Sequence, residues 1–275
     1  MSIVKKIKPV QTSDLIIAAL FYGKAGTGKT TLAASFPKPA LLVDIREKGT
    51  DSVSDVKGLD VLKLENWAEF EEVYWHLAKS DKYKTVILDG VSQLQDMALD
   101  AAREEERKPE GFLSQRIWGL ASAKMKTWII NFRDLVDNGL NVVFLTHDRT
   151  SSESDSDDNE LTPFVGPALM PSVAATLTAS VKVVANTFIQ ETKKMSSSGI
   201  PKSAVQYAVR IGPHAQYETK IRQPKGSYLP RTVPNFDYDK LVSLMRGEYK
   251  DSLKTKRKSE KSDKMRSGVK ELPPF

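Results

Sequence analysis

Residues 21–32 read FYGKAGTGKTTL, a strand end that runs through a glycine-rich loop into the start of a helix. Within it, Gly23-Lys24-Ala25-Gly26-Thr27-Gly28-Lys29-Thr30 satisfies G-x-x-x-x-G-K-[ST] at every fixed position, and the preceding LIIAALFY (15–22) reads as a buried strand. Glycines at 23, 26 and 28 let the backbone turn tightly, so that the N–H groups from Gly23 to Thr31 converge on phosphate oxygens at the positive end of the next helix. Lys29 is expected to reach the β- and γ-phosphates of a bound nucleotide, and Thr30 to place its hydroxyl on Mg²⁺. ATP and Mg²⁺ are therefore the expected cofactors.

Beyond this loop, apolar strands alternate with helical spacing. ALLVD (40–44) reads as a second strand, followed by VLKL (61–64). Asn66 reads as a helix cap ahead of Trp67, Phe70, Val73, Tyr74 and Leu77. TVILD (85–89) is a third buried strand. A long helix carries Ile117, Leu120, Trp128, Ile129, Phe132 and Leu135 on one face and ends at Asn138-Gly139, before the strand NVVFLTH (141–147). This alternation predicts an α/β fold with a mostly parallel central sheet and helices on both faces. The last third reads differently. A helix at 172–179, VKVVANT (181–187), then AVQYAVRI (204–211) turning at Gly212-Pro213 into QYETKIR (216–222), predict antiparallel strands added at one edge, with a final helix at 237–245.

An ATPase needs a carboxylate near the metal, and Asp89 at the end of VILD supplies one. It also needs a group that polarises the attacking water. Many motor ATPases place a Glu directly after the metal-binding Asp, but Gly90 stands there. Glu47, just past the second strand, is the catalytic candidate, with Asp44 as its substitute; the alternative for Glu47 is a solvated charge beside Arg46 and Lys48. His147 ends the fourth strand, where an imidazole can sense the γ-phosphate or simply cap the strand.

The 275 residues suffice for one generous α/β domain, read as a core at 13–246 between an N-terminal extension (1–12) and a basic tail (247–275) expected to be disordered. The chain has no cysteine and only three histidines, which excludes disulfides, thiolate zinc sites and a cysteine nucleophile. No stretch reaches the apolar length of a membrane span, and the first 14 residues lack the centre of a signal peptide, so a soluble, cytoplasmic protein is expected. Residues 250–270 carry nine Lys/Arg against three Asp/Glu, an excess equal to the whole net charge of +6. The body is near neutral apart from an acidic run at 153–160.

The order GKAGTGKT, VDIRE, VILDGVSQL, FLTHDR resembles the RecA-like recombinase core, with His147 where Gln is usual and one extra residue between Asp44 and Glu47. The phrase GKAGTGKTTLAASFPKPALLVD is more closely similar to phage-encoded, core-only RecA-like P-loop ATPases, often described as AAA-family ATP-binding proteins, some of which anneal single strands in recombination. The resemblance implies a bacteriophage source and host cytoplasm. It implies single-stranded DNA as partner, held by loops after the third and fourth strands, where Arg103, Arg107, Lys108, Arg116 and Arg149 are the candidates; a charged helix surface is the alternative for the first four. It also implies a ring or filament in which Lys220 or Arg222 reaches a neighbouring subunit's ATP; edge protection is the alternative there. The terminal KELPPF resembles the tip of bacterial single-stranded-DNA-binding proteins and would address the same host partners, or be an incidental end. A helicase or helicase loader, a small-molecule kinase and a non-hydrolysing scaffold are the competing functions.

Overall fold

The computed structural model describes residues 15–153, 162–195 and 201–250. The 1–12 extension, the acidic run beyond Glu153, and the basic tail beyond residue 250 with its KELPPF end lie outside the described residues. Elements follow in the order β1 Ala18–Tyr22, α1 Lys29–Ala33, β2 Ala40–Asp44, β3 Leu59–Lys63, α2 Trp67–Lys79, β4 Thr85–Asp89, α3 Val91–Glu105, α4 Gln115–Asp134, β5 Asn141–Thr146, β6 Asp148–Glu153, β7 Thr162–Pro167, α5 Pro171–Ser180, β8 Val183–Met195, β9 Pro201–Arg210, β10 Lys220–Ile221, β11 Thr232–Pro234 and α6 Tyr238–Arg246.

The main sheet runs β11-β9-β8-β1-β5-β4-β2-β3, with β10 also on β8. From β3 to β8 all pairings are parallel, and β9, β10 and β11 add antiparallel strands beyond β8. The fold class is thus an α/β P-loop NTPase arrangement with its antiparallel addition at one edge. Strands β1, β2, β4 and β5 are apolar apart from Asp44, Thr85, Asp89, Asn141 and Thr146 at their ends, as suits strands whose two faces are covered and whose every residue is buried. On one face Leu20, Val43, Leu88 and Phe144 meet the apolar stripes of α2 to α5; on the other, Phe21, Leu42, Ile87 and Leu145 meet α1 and α6. Among the described residues no helix is long and apolar enough to cross a membrane.

Local signals place the helices. Asn66 caps α2 by accepting from the Glu69 N–H, while Glu69 returns a carboxylate to the Glu65 N–H at 2.8 Å. Ser114 caps α4 in the same way, and Gly139 at φ 85° ends the 3-10 turn that follows it.

Register aligns the site. Tyr22 lies opposite Thr146, Leu145 opposite Asp89, and Asp89 opposite Asp44, so the carboxyl ends of β1, β5, β4 and β2 form one rim. β5 separates the loop-bearing β1 from β4.

Three expectations are corrected. Residues 216–222 do not pair with β9, which takes β11 instead: within 216–222 only Lys220 and Ile221 form a strand, and they pair with Val184 and Val183 of β8. β9 leaves β8 at Asn186, and β10 covers the edge of β8 below that point. The stretch after Asp89 is helical to Glu105 rather than a loop. The stretch after His147 forms a two-stranded antiparallel sheet, β6 with β7, whose sequences DRTSSE and TPFVGP lack a hydrophobic alternation.

Candidate functional site

The glycine-rich loop leaves β1 at Gly23 and enters α1 at Lys29. Gly23 is packed so tightly that a Cβ there would stand 2.4 Å from both the carbonyl and the hydroxyl oxygen of Thr187 on β8. Thr27 fixes the middle of the loop: its hydroxyl donates to Lys24 O at 2.7 Å and shares a 2.7 Å hydrogen bond with the Thr187 hydroxyl. Lys29 arcs back over the loop, its Nζ donating to Gly23 O at 2.9 Å and Lys24 O at 3.0 Å. Burial pulls its pKa below the usual lysine value, against the pull of Glu47, Asp89 and Asp148.

Thr30 donates its hydroxyl to Asp89 Oδ2 at 2.7 Å, which joins the loop to the end of β4 across β5. Asp89 is buried, and burial raises its carboxyl to about 6; the Thr30 hydrogen bond opposes this, and the nearby Glu47 adds to it. One hydroxyl and one carboxylate side by side are what Mg²⁺ needs from a protein when phosphates and water complete its shell. With the loop N–H groups and Lys29, this donor set fits a magnesium nucleoside triphosphate.

Glu47 stands over this pair. Its Oε1 lies 2.9 Å from Nε2 of His147, which closes β5. The rival carboxylate, Asp44, points elsewhere: its Oδ1 accepts from the N–H groups of Glu47 at 2.9 Å and Lys48 at 3.0 Å. Asp44 thereby shapes a turn in which Arg46 and Lys48 take φ 62° and 54°, and the turn delivers Glu47 to the cleft. His147 is itself anchored, its N–H donating to Ser92 Oγ at 3.1 Å and its carbonyl accepting from Ala168 N at 2.8 Å. Glu47, His147, Asp89 and the loop residues Ala25, Gly26 and Gly28 to Thr31 line one cleft of about 740 Å³.

The remaining candidates lie apart from that cleft. Arg103 pairs with Asp100 at 2.9 Å and Arg116 with Glu106 at 3.0 Å, while Lys108 sits over the Phe112 ring and Arg107 is exposed. These four belong to the charged surface around the end of α3. Arg149, on β6, is different: with the exposed Trp118 and Gln95 it lines a separate groove of about 480 Å³. Lys220 donates to Thr178 O at 2.9 Å and Ala179 O at 2.7 Å, capping the carboxyl end of α5 within its own chain. Arg222 is exposed at the sheet edge.

Sequence reasoning missed the opposite wall of the cleft, which comprises Tyr207 on β9 and Asn235, Phe236 and Asp237 after β11. Tyr207 lies in a stretch legible only as an alternating strand, and nothing local ties it to the loop.

A family model described as an AAA domain matches residues 17–223, from the start of β1 to just past β10. No curated protein matches the chain.

Proposed function

The chain belongs to the AAA domain family, a P-loop ATPase domain, and on that premise we propose that it hydrolyses ATP with Mg²⁺ and couples the cycle to single-stranded DNA. One observation carries the hydrolytic half: Glu47 is held by His147 at 2.9 Å beside the Thr30–Asp89 pair. In this reading Lys29 and the loop N–H groups would hold the triphosphate, and Thr30 and Asp89 would hold Mg²⁺, whose chemistry when bound is to neutralise phosphate charge. Glu47 accepts the proton of a water whose oxygen attacks the γ-phosphorus as the bond to the bridging oxygen of ADP breaks. His147 keeps the carboxylate oriented until the γ-phosphate competes for its imidazole, and the change passes along the backbone into β6.

The DNA half is supported by the segment that leaves His147. Two residues on, Arg149 opens onto a groove that also holds Trp118, 42% exposed, a cation and an aromatic of the kind that pair with phosphate and stack on bases. A recombination role, by annealing or strand pairing in a phage or its host, and assembly with further copies of the chain are the finer parts of the proposal.

The experiment is ATP turnover by the full chain without DNA, with single-stranded DNA and with duplex DNA. Stimulation by single strands that is lost in Arg149→Ala and Trp118→Ala, with basal turnover intact, supports the reading. Equal rates in all three conditions sink the DNA coupling, and the absence of any turnover sinks the hydrolytic role. A strand-displacement assay separates annealing from a helicase.

A further inference from the structure

The cleft is longer than its phosphate end requires, and its far end has the make-up of a base-binding surface. We propose that Tyr207 and Asn235 form the nucleobase subsite and that the base they take is adenine. This rests on reading residues 23–31 as the triphosphate site and extends it to the other end of the nucleotide.

Tyr207 is held against the loop from a fixed backbone. It pairs with Ile189 on β8, and its carbonyl accepts from the Asn235 N–H at 2.8 Å. Three of its ring carbons lie 3.3–3.7 Å from where a Cβ on Gly28 would stand, so the ring begins where the phosphate loop ends. Even so, the residue is 51% exposed. A large aromatic kept half in water at the mouth of a cleft of about 740 Å³ offers a stacking surface to a flat ligand held at its phosphates by the loop.

Asn235 follows β11 on the same wall as Tyr207. Its φ of 45° is in the left-handed region, which Asn enters more readily than other residues with a side chain. Its neighbours hold the turn in place. Pro234 O and Asn235 O accept from Lys240 Nζ, Phe236 packs edge-on to Phe21 in the core, and the Asp237 carboxylate caps α6 by accepting from the Lys240 N–H at 2.9 Å. With Asp237 so engaged, the exposed Asn235 carboxamide and the Tyr207 hydroxyl are the side-chain groups on this wall that make no hydrogen bond among the described residues, and of the two only the carboxamide carries both an N–H donor and a carbonyl acceptor. A carboxamide presents one donor and one acceptor in a plane. That is the complement of the adenine N6/N7 edge, whereas guanine offers two acceptors, O6 and N7, at the same edge.

The test is calorimetric titration of the full chain with Mg-ATP, Mg-GTP and inorganic tripolyphosphate, for wild type, Tyr207→Ala, Tyr207→Phe and Asn235→Ala. The expected wild type prefers ATP to GTP. Tyr207→Ala weakens ATP about ten-fold or more and leaves tripolyphosphate unchanged, Tyr207→Phe restores ATP, and Asn235→Ala narrows the ATP/GTP ratio. Equal loss of ATP and tripolyphosphate in Tyr207→Ala makes the ring a support for the loop and overturns the subsite; so does undiminished ATP binding. An ATP/GTP ratio unmoved by Asn235→Ala overturns the adenine assignment. A wild type that binds neither ATP nor tripolyphosphate instead locates the failure in the triphosphate site itself.

Discussion

The Cγ of Glu47 lies 2.9 Å from the position that a Cβ on Gly90 would occupy, and Ile45 O is closer still at 2.5 Å. Gly90 also has φ 104°, outside the range open to residues with a side chain. The absence of a side chain after Asp89 and the presence of Glu47 over the cleft are therefore one arrangement. Gly90→Ala should displace Glu47 and cut ATP turnover by about 10²-fold, a typical loss when a general base is misplaced, while ATP affinity changes by only a few-fold. Steady-state turnover alongside a nucleotide titration checks this, and full activity in the variant would mean that Glu47 does not act on water.

Glu47→Gln keeps the shape of the side chain and removes the proton acceptor. It should bind ATP normally and lose about 10²- to 10⁴-fold in turnover. Asp44→Asn should behave otherwise: an amide oxygen can still accept from the Glu47 and Lys48 N–H groups, so turnover falls by only a few-fold, whereas Asp44→Ala loses the turn and both activity and stability, the latter by about 1–2 kcal/mol. If Asp44→Asn is the inactive variant and Glu47→Gln the active one, the two roles are reversed.

Asp89 makes stability depend on pH in the nucleotide-free protein. Its folded carboxyl titrates at about 6, above the ordinary 3.8, so folding retains a proton between those values. The resulting stabilisation is present below about pH 4 and disappears as pH rises through 6. A shift of this size corresponds to roughly 3 kcal/mol. Asp89→Asn should then raise the melting temperature at pH 8 in the presence of a chelator, with little effect at pH 4, although it removes the metal ligand. A lower melting temperature at pH 8 would show that burial does not dominate at this carboxyl.

Tyr22, the last residue of β1, directs its buried hydroxyl to Val165 O at 3.1 Å and Glu218 O at 2.9 Å. Burial accordingly raises its pKa above the usual tyrosine value. Tyr22→Phe should cost about 1–2 kcal/mol in urea unfolding and speed proteolysis between β6 and β7, because the hydroxyl ties β7 to the residue 216–218 segment at the base of the loop. Unchanged stability would mean that water replaces the tyrosine without loss.

What could be read in the chain was local. Continuous apolar runs with capping residues gave β1, β2, β4 and β5, the start of α2 and the Asn138-Gly139 stop that follows α4, and strand ends gave Asp89, Glu47 and His147 as candidates for one site. The choice between Asp44 and Glu47 was not local, since it depends on which carboxylate the backbone N–H groups of the intervening turn capture. Lys220 reads as a free edge cation because its partners, Thr178 O and Ala179 O, are backbone groups about 40 residues earlier that any sequence could supply. Tyr207 and Asn235 reach the cleft only through the β8-β9-β11 pairing, and no motif precedes either of them.

β8 continues nine residues past its last contact with β1, from Asn186 to Met195, paired there with β9 alone. At about 3.3 Å per residue this makes an arm of about 30 Å rooted at Thr187, the residue whose hydroxyl meets Thr27 of the loop. Its length gives small rotations at the root a large lever. A tilt of about 10° at its root, a displacement of a fraction of an ångström beside the loop, swings its far end by about 5 Å at that length. The ratio of the two displacements is set by the length of the ribbon and by its root at Thr187, beside Thr27 of the glycine-rich loop.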